Sequence, residues 1–414
     1  MKSNLLLRAI TTIVILSWLT LNLSAETNWT QWRGMQCNGL SDARNVPQQF
    51  STDSIIWKTQ IPGRGQSSPV YWEDTVFITS ALQNGTQRAV FAVDRSNGKI
   101  RWQKVVWQGE AEETHAMNNR ASSTCVTDGK QVVAFFGKAG LHSLDVETGK
   151  IQWSRDLGNF DGPWGTGASP IFVGELVVQN CDADNESWIM AFSRTNGETV
   201  WKTKRDTVRG WSTPILFKQD GQTEIIINGH SKVVSYNPSD GHENWQCTAS
   251  AGRGTPTLAM TSSAVISVPG RSGTMVAIRP GGTGDVTGKR EVWRVPRTGG
   301  RDLPSPIVVG EYVIVTRLRP GLISCYRVSD GSELWTTRVS GAFSSSPIAI
   351  NGIVYTVTES GSIVVFKPGE KYVPISTNEI GADLEEIFRA TPAAFDGHLL
   401  VRSDQYLYCL GTPK

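Results

Sequence analysis

Six arginines stand at matching places along this 414-residue chain: Arg64, Arg120, Arg209, Arg253, Arg301 and Arg389. Each lies three to five residues before a Pro or Thr that opens an apolar segment. Guanidiniums brought together around one mouth would bind a carboxylate, a phosphate or an acidic peptide segment. The competing possibility is that each pairs with a nearby acid, as Asp206 could with Arg209 and Asp302 with Arg301. Two of the connections between repeats carry an extra tryptophan, Trp164 and Trp211. These rings either stack on a sugar or peptide or plug a central opening.

Other candidates are weaker. The connection 108–119 mixes Glu110, Glu112 and Glu113 with His115, but its spacing matches no metal motif, and a solvated loop explains it. The stretch Asp182–Ser187 lacks the glycine and the final glutamate of a calcium loop. Neither Gly-x-Ser-x-Gly nor His-Glu-x-x-His occurs, and the five His are dispersed. No catalytic residue and no metal ligand is expected.

The elements that must position these side chains are repeats. Phe91-Ala-Val-Asp-Arg-Ser-Asn-Gly-Lys-Ile-Arg-Trp102 is rewritten at 144–153, 192–201, 236–245 and 326–335, and with an insertion up to Trp293. Each copy is an apolar strand, a turn built on Asn-Gly, Asp-Gly or Thr-Gly, and a second strand closing on Trp. The Trp recurs at 102, 153, 201, 245, 293 and 335, a period of 42 to 51 residues that marks a repeat architecture. Eight openings precede the strands: Ser68-Pro69, Ser123-Thr124, Ser169-Pro170, Thr213-Pro214, Thr255-Pro256, Ser305-Pro306, Ser346-Pro347 and Thr391-Pro392. The seventh repeat has Lys367-Pro-Gly-Glu-Lys for its turn and no closing Trp.

The ends are split. Ile55–Ile61 resembles the last strand of a repeat, and 391–410 supplies three strands and stops. A solenoid would need capping units instead. The expected fold is therefore all-β: an eight-bladed β-propeller of four-stranded antiparallel blades, its ring closed by the N-terminal strand. Residues 1–25 form the expected signal peptide, with Lys2 and Arg8 ahead of the apolar run Ala9–Leu23 and Ser24-Ala25 as a cleavage site. Retention as a membrane anchor is the alternative. Residues 26–54 are an N-terminal extension, and 55–414 the propeller.

Removing Lys2 and Arg8 from the 40 basic residues leaves 38 against 38 acidic ones, a balance that argues against nucleic acid as a partner. The six Cys are scattered. Cys125, Cys325 and Cys409 lie in strand-like runs, which suits small buried thiols.

The unit Asp-x-x-Ser/Thr-x-Gly-Lys-x-x-Trp, clearest at Asp94–Trp102 and Asp145–Trp153, resembles the repeat of the PQQ-like β-propellers over residues 55 to 410. That family includes quinoprotein alcohol dehydrogenases and the propeller lipoprotein of the outer-membrane barrel assembly machine. The enzymes hold a quinone beside Ca²⁺ against a disulfide of adjacent cysteines, and this chain has no Cys-Cys pair. The resemblance thus implies the non-enzymatic branch: a periplasmic or secreted, monomeric binding or scaffolding module without a cofactor. Its partner would be a protein or anionic ligand at the loop face, met by Arg64, Arg120, Trp164, Arg209, Trp211, Arg253, Arg301 and Arg389. The alternatives are a dehydrogenase using PQQ with calcium, and a carbohydrate-binding propeller.

Overall fold

A computed structural model describes residues 28–249, 254–271, 273–297 and 303–412. Arg253, Arg301, Asp302 and the signal segment 1–25 lie outside these residues. The described strands form eight sheets, each built on four antiparallel strands, in the order of an eight-bladed propeller. Blade 1 runs Val70–Trp72, Thr75–Leu82, Gln87–Asp94 and Ile100–Gln108 from the axis outward. In blade 8 the outer strand is Ile55–Gln60, paired antiparallel with Tyr406–Gly411, so the N-terminal strand closes the ring as expected. Middle strands such as Thr75–Leu82 are buried almost throughout, because neighbouring blades cover both faces. Outer strands such as Thr199–Lys204 are largely exposed.

The recurring Trp and Gly serve one contact. The Trp102 indole N–H donates to Val146 O of the next blade at 2.9 Å, and Trp153, Trp201, Trp293 and Trp335 donate likewise to Arg194, Pro238, Val328 and Gly369. Trp57 links blade 8 to blade 1 through Arg95 O. The turn glycine of the receiving blade lies flat against that ring. Gly197 has φ +71°, and a Cβ there would stand 2.6 Å from the Trp153 ring, so glycine is required twice over.

Trp245 is the exception, donating to Glu224 of its own blade at 2.6 Å. The insertion beyond Ile278 takes the outer edge there, with Gly284–Asp285 paired parallel to Trp245–Gln246. Blade 7 has no closing Trp. The extension fills that place: Phe50 is buried and its N–H donates to Asn378 Oδ1, while the Ser376 hydroxyl donates to Gln48 O.

Around the axis the blades are tied by a closed circle of hydrogen bonds. The N–H of Ser68 donates to Thr124 Oγ1, Thr124 to Ser169, Ser169 to Thr213 and Thr213 to Thr257, at 2.9–3.0 Å. Thr257 donates to Ser305, Ser305 to Ser346, Ser346 to Thr391 and Thr391 back to Ser68, at 2.8–3.2 Å. These are the small residues of the eight openings, with one correction. In blade 5 the ring member is Thr257, two residues beyond Thr255. Proline follows six of the others harmlessly, because the innermost strand is an edge.

Residues 28–54 form a strap across the opposite end of the axis, where each blade's first two strands turn. Trp29 pairs with Tyr71 of blade 1, and Thr30 O accepts from Thr127 of blade 2. Arg33 Nη2 donates to Pro306 O of blade 6 at 2.8 Å, and Leu40–Ser41 pairs parallel with Ala349–Ile350 of blade 7. Blades 2 and 6 face each other in an eight-membered ring, so the strap crosses the axis. All six cysteines are free and buried; Cys125 sits just before its strand, not within it.

Candidate functional site

With one end strapped, the axial channel becomes a cup of about 230 Å³ opening among the inter-blade loops. All eight members of the hydroxyl ring line it, Trp32 of the strap contributes to the lining, and Trp164, Trp211, Met117 and Leu303 stand in its wall. Gln66 and Asn118 add amides, and Arg271 and Arg389 are its guanidiniums. No acid, histidine or cysteine is among these lining residues.

The sequence-derived candidates separate into two groups. Trp164, Trp211 and Arg389 meet in the cup. Trp164 stacks on His115 with ring centroids 4.0 Å apart, and Asn118 Nδ2 holds its carbonyl at 3.0 Å. The Trp211 indole N–H donates to Gly165 O at 2.8 Å, which fixes the ring. Neither is the plug; that role falls to the strap. Arg389 is held by Glu359 at 2.8 Å and by Met117 O at 3.3 Å.

Arg64, Arg120 and Arg209 do not join them. Arg64 pairs with Asp404 at 2.5 Å, Arg120 Nε donates to Glu112 O at 2.8 Å, and Arg209 pairs with Asp184 at 2.5 Å. Each has a partner of its own, and none of the three lines the cup. The partner of Arg209 is Asp184 and not Asp206, which pairs with Lys232. Asp182 is taken by Arg205 at 2.7 Å and Glu186 by Lys204 at 3.4 Å, so with Asp184 all three carboxylates of the stretch 182–187 pair with basic side chains.

Two charges behind the ring were not anticipated. Arg33 is fully buried, donates only to Asn38 O and Pro306 O, and leaves Nε and Nη1 without partners. Burial brings its pKa down to about 10. Arg402, equally buried, donates to Ser67 O, Ser67 Oγ and Thr79 O, all neutral acceptors, and leaves Nε unpartnered. Burial lowers it further, to about 9. Pro306 and Ser67 adjoin ring members Ser305 and Ser68, so both charges lie directly behind the lining. Arg33 sat in a stretch that reads only as a linker, and Arg271 follows no repeat opening; neither had a periodic signal to reveal it.

Propeller, axial cup and docked tryptophans together define the PQQ-like propeller class. The sequence profile of outer membrane protein assembly factor BamB matches residues 48–163, 163–285 and 271–370, and the chain belongs to that family. BamB of Yersinia pestis is 27% identical over 186 residues, covering 44% of this chain and 42% of that protein. The chain spans about two-fifths of the length of the curated relatives it matches first. The crystal structure of BamB from Moraxella catarrhalis superposes with a TM-score of 0.64 at 15% identity, covering 86% of this chain and 97% of that one. A europium-containing methanol dehydrogenase gives 0.69 at 10% identity, covering 92% and 98%. At those identities the two structures share the fold.

The cup is a poor fit for a quinone with calcium. Its lining offers no carboxylate, and the described residues hold no cluster of three or more His, Cys, Asp or Glu. Calcium takes six to eight oxygen ligands, with carboxylates prominent among them.

Proposed function

We propose that this chain is an exported scaffolding propeller that holds a protein or anionic partner at its cup face during outer-membrane protein assembly. The observation that carries the reading is the cup's lining: tryptophan faces, hydroxyls and guanidiniums suited to binding, with no acid or histidine among the lining residues to serve as general base. The BamB relatives, as outer membrane protein assembly factors, supply the setting, and the signal-like residues 1–25 supply export to the periplasm or beyond.

Deleting the gene from its host tests the reading. Folded barrel protein in the outer membrane should fall and be restored by the wild-type chain. Unchanged barrel levels would remove the assembly role.

A further inference from the structure

The cup's inner end is positively charged, and no carboxylate among the described residues is hydrogen-bonded to its buried guanidiniums. Arg33 and Arg402 are both completely buried and donate only to neutral oxygens, yet each keeps unpartnered nitrogen. Buried charges are ordinarily paired, because an uncompensated one is strongly destabilising. On the open side, Arg271 is exposed and makes no ion pair among the described residues. Asp404, already paired with Arg64, offsets Arg402 only in part, and an anion in the cup would add the counter-charge that the described neighbours of the three do not supply.

The ring narrows what that anion is. Each ring hydroxyl already accepts one backbone N–H from the preceding blade; Thr257 also donates to Thr213 O, but a hydroxyl such as Ser169 keeps a proton to donate and a lone pair to receive. An ionised carboxylate or phosphate alone only accepts, so it would use half of that capacity. A ligand that gives and takes hydrogen bonds at several points uses all of it, and a polyhydroxylated acid does so. Trp164 is backed by His115, and Trp211 is pinned through its indole N–H, so both display fixed aromatic surface to the cup. A flat-sided ring with apolar C–H faces packs there. The volume of about 230 Å³ lies below the roughly 300–1,000 Å³ of drug-sized sites and has room for a single sugar ring.

We propose that the cup binds a sugar acid: one pyranose ring against Trp164 and Trp211, its hydroxyls on the Ser/Thr ring and its carboxylate toward the guanidiniums. This deepens the binding function given to the same cup and rests on it. The acid is either a free monosaccharide or a residue of an acidic polysaccharide, and both present the same chemistry.

Titration calorimetry on the purified chain at low salt decides. The probes are galacturonate, neutral galactose, tetragalacturonate and the dipeptide Ala-Glu. Galacturonate should bind at least about tenfold tighter than galactose, since one charge-assisted contact is worth about that factor. Arg271→Gln, at an exposed position, should erase the difference while leaving the melting temperature unchanged. Trp164→Leu should weaken both sugars. Tetragalacturonate binding more tightly than the monomer points to a polysaccharide, and equal binding to a free acid. The proposal fails if galacturonate binds no better than galactose, if Ala-Glu matches it, or if no sugar binds. None of those failures bears on whether barrel levels fall in the deletion strain, so the assembly role stands or falls separately.

Discussion

Replacing Ser169 by alanine breaks the axial circle at one link. The Ser169 hydroxyl accepts the Thr124 N–H at 3.0 Å, and its residue is 3% exposed. Alanine removes one oxygen and opens little space, so the loss is the orphaned Thr124 amide. An unsatisfied buried donor costs about 1–3 kcal/mol. Because the ring lines the cup, water can reach part of it and replace some of the bond, which puts the expectation at about 1–2 kcal/mol. Ser169→Thr keeps the oxygen and adds a methyl that four ring positions already carry, so it should change stability by less than about 0.5 kcal/mol. Urea unfolding of the three proteins measures both differences, and amide exchange should show the Thr124 N–H accelerating in the alanine variant alone. Equal stability of Ser169→Ala and Ser169→Thr would refute the reasoning that the circle holds the blades.

Two further outcomes follow from the contacts. Trp201→Ala removes a side chain that is 7% exposed and docked on Pro238 O, and should cost about 3–5 kcal/mol in urea unfolding. His142 is buried between Ser154 Oγ at 2.8 Å and Ala139 O at 2.7 Å, and burial lowers its pKa from 6.5 to about 4. The unfolded chain therefore binds the extra proton first, so stability is full above about pH 6.5 and falls as pH drops toward 4. The slope there approaches 1.4 kcal/mol per pH unit. His142→Gln should flatten the unfolding free energy across that window.

Most of the fold was legible because its signals are local and repeated. Turn glycine and closing Trp fall at a fixed interval in each copy, and the split ends at Ile55 and Leu410 already imply closure of the ring. The openings were legible as small residues, but their hydroxyl circle was not, since each bond spans about 40 residues or more and joins different blades. That same distance hid the register of blade 5, where Thr255-Pro256 imitates an opening and Thr257 makes the bond. For the site, Trp164 and Trp211 were visible as extra loop tryptophans and Arg389 as one of the recurring arginines. Arg64 and Arg209 carried the same signal and turned out to be paired, because Asp404 and Asp184 come from remote segments. The strap was missed as a plug because Trp29, Trp32 and Arg33 belong to no repeat, and the burial of Trp29 and Arg33 depends on blades far along the chain.

The central claim is that the partner is met at the cup face and not at the strapped face. A photo-crosslinking residue placed at Met117, in the cup wall, and separately at Met35, exposed on the strap, tests this in living cells. The account predicts a discrete cross-linked product from position 117 that is absent from position 35. A product from position 35 alone would contradict it and move the working surface to the strap.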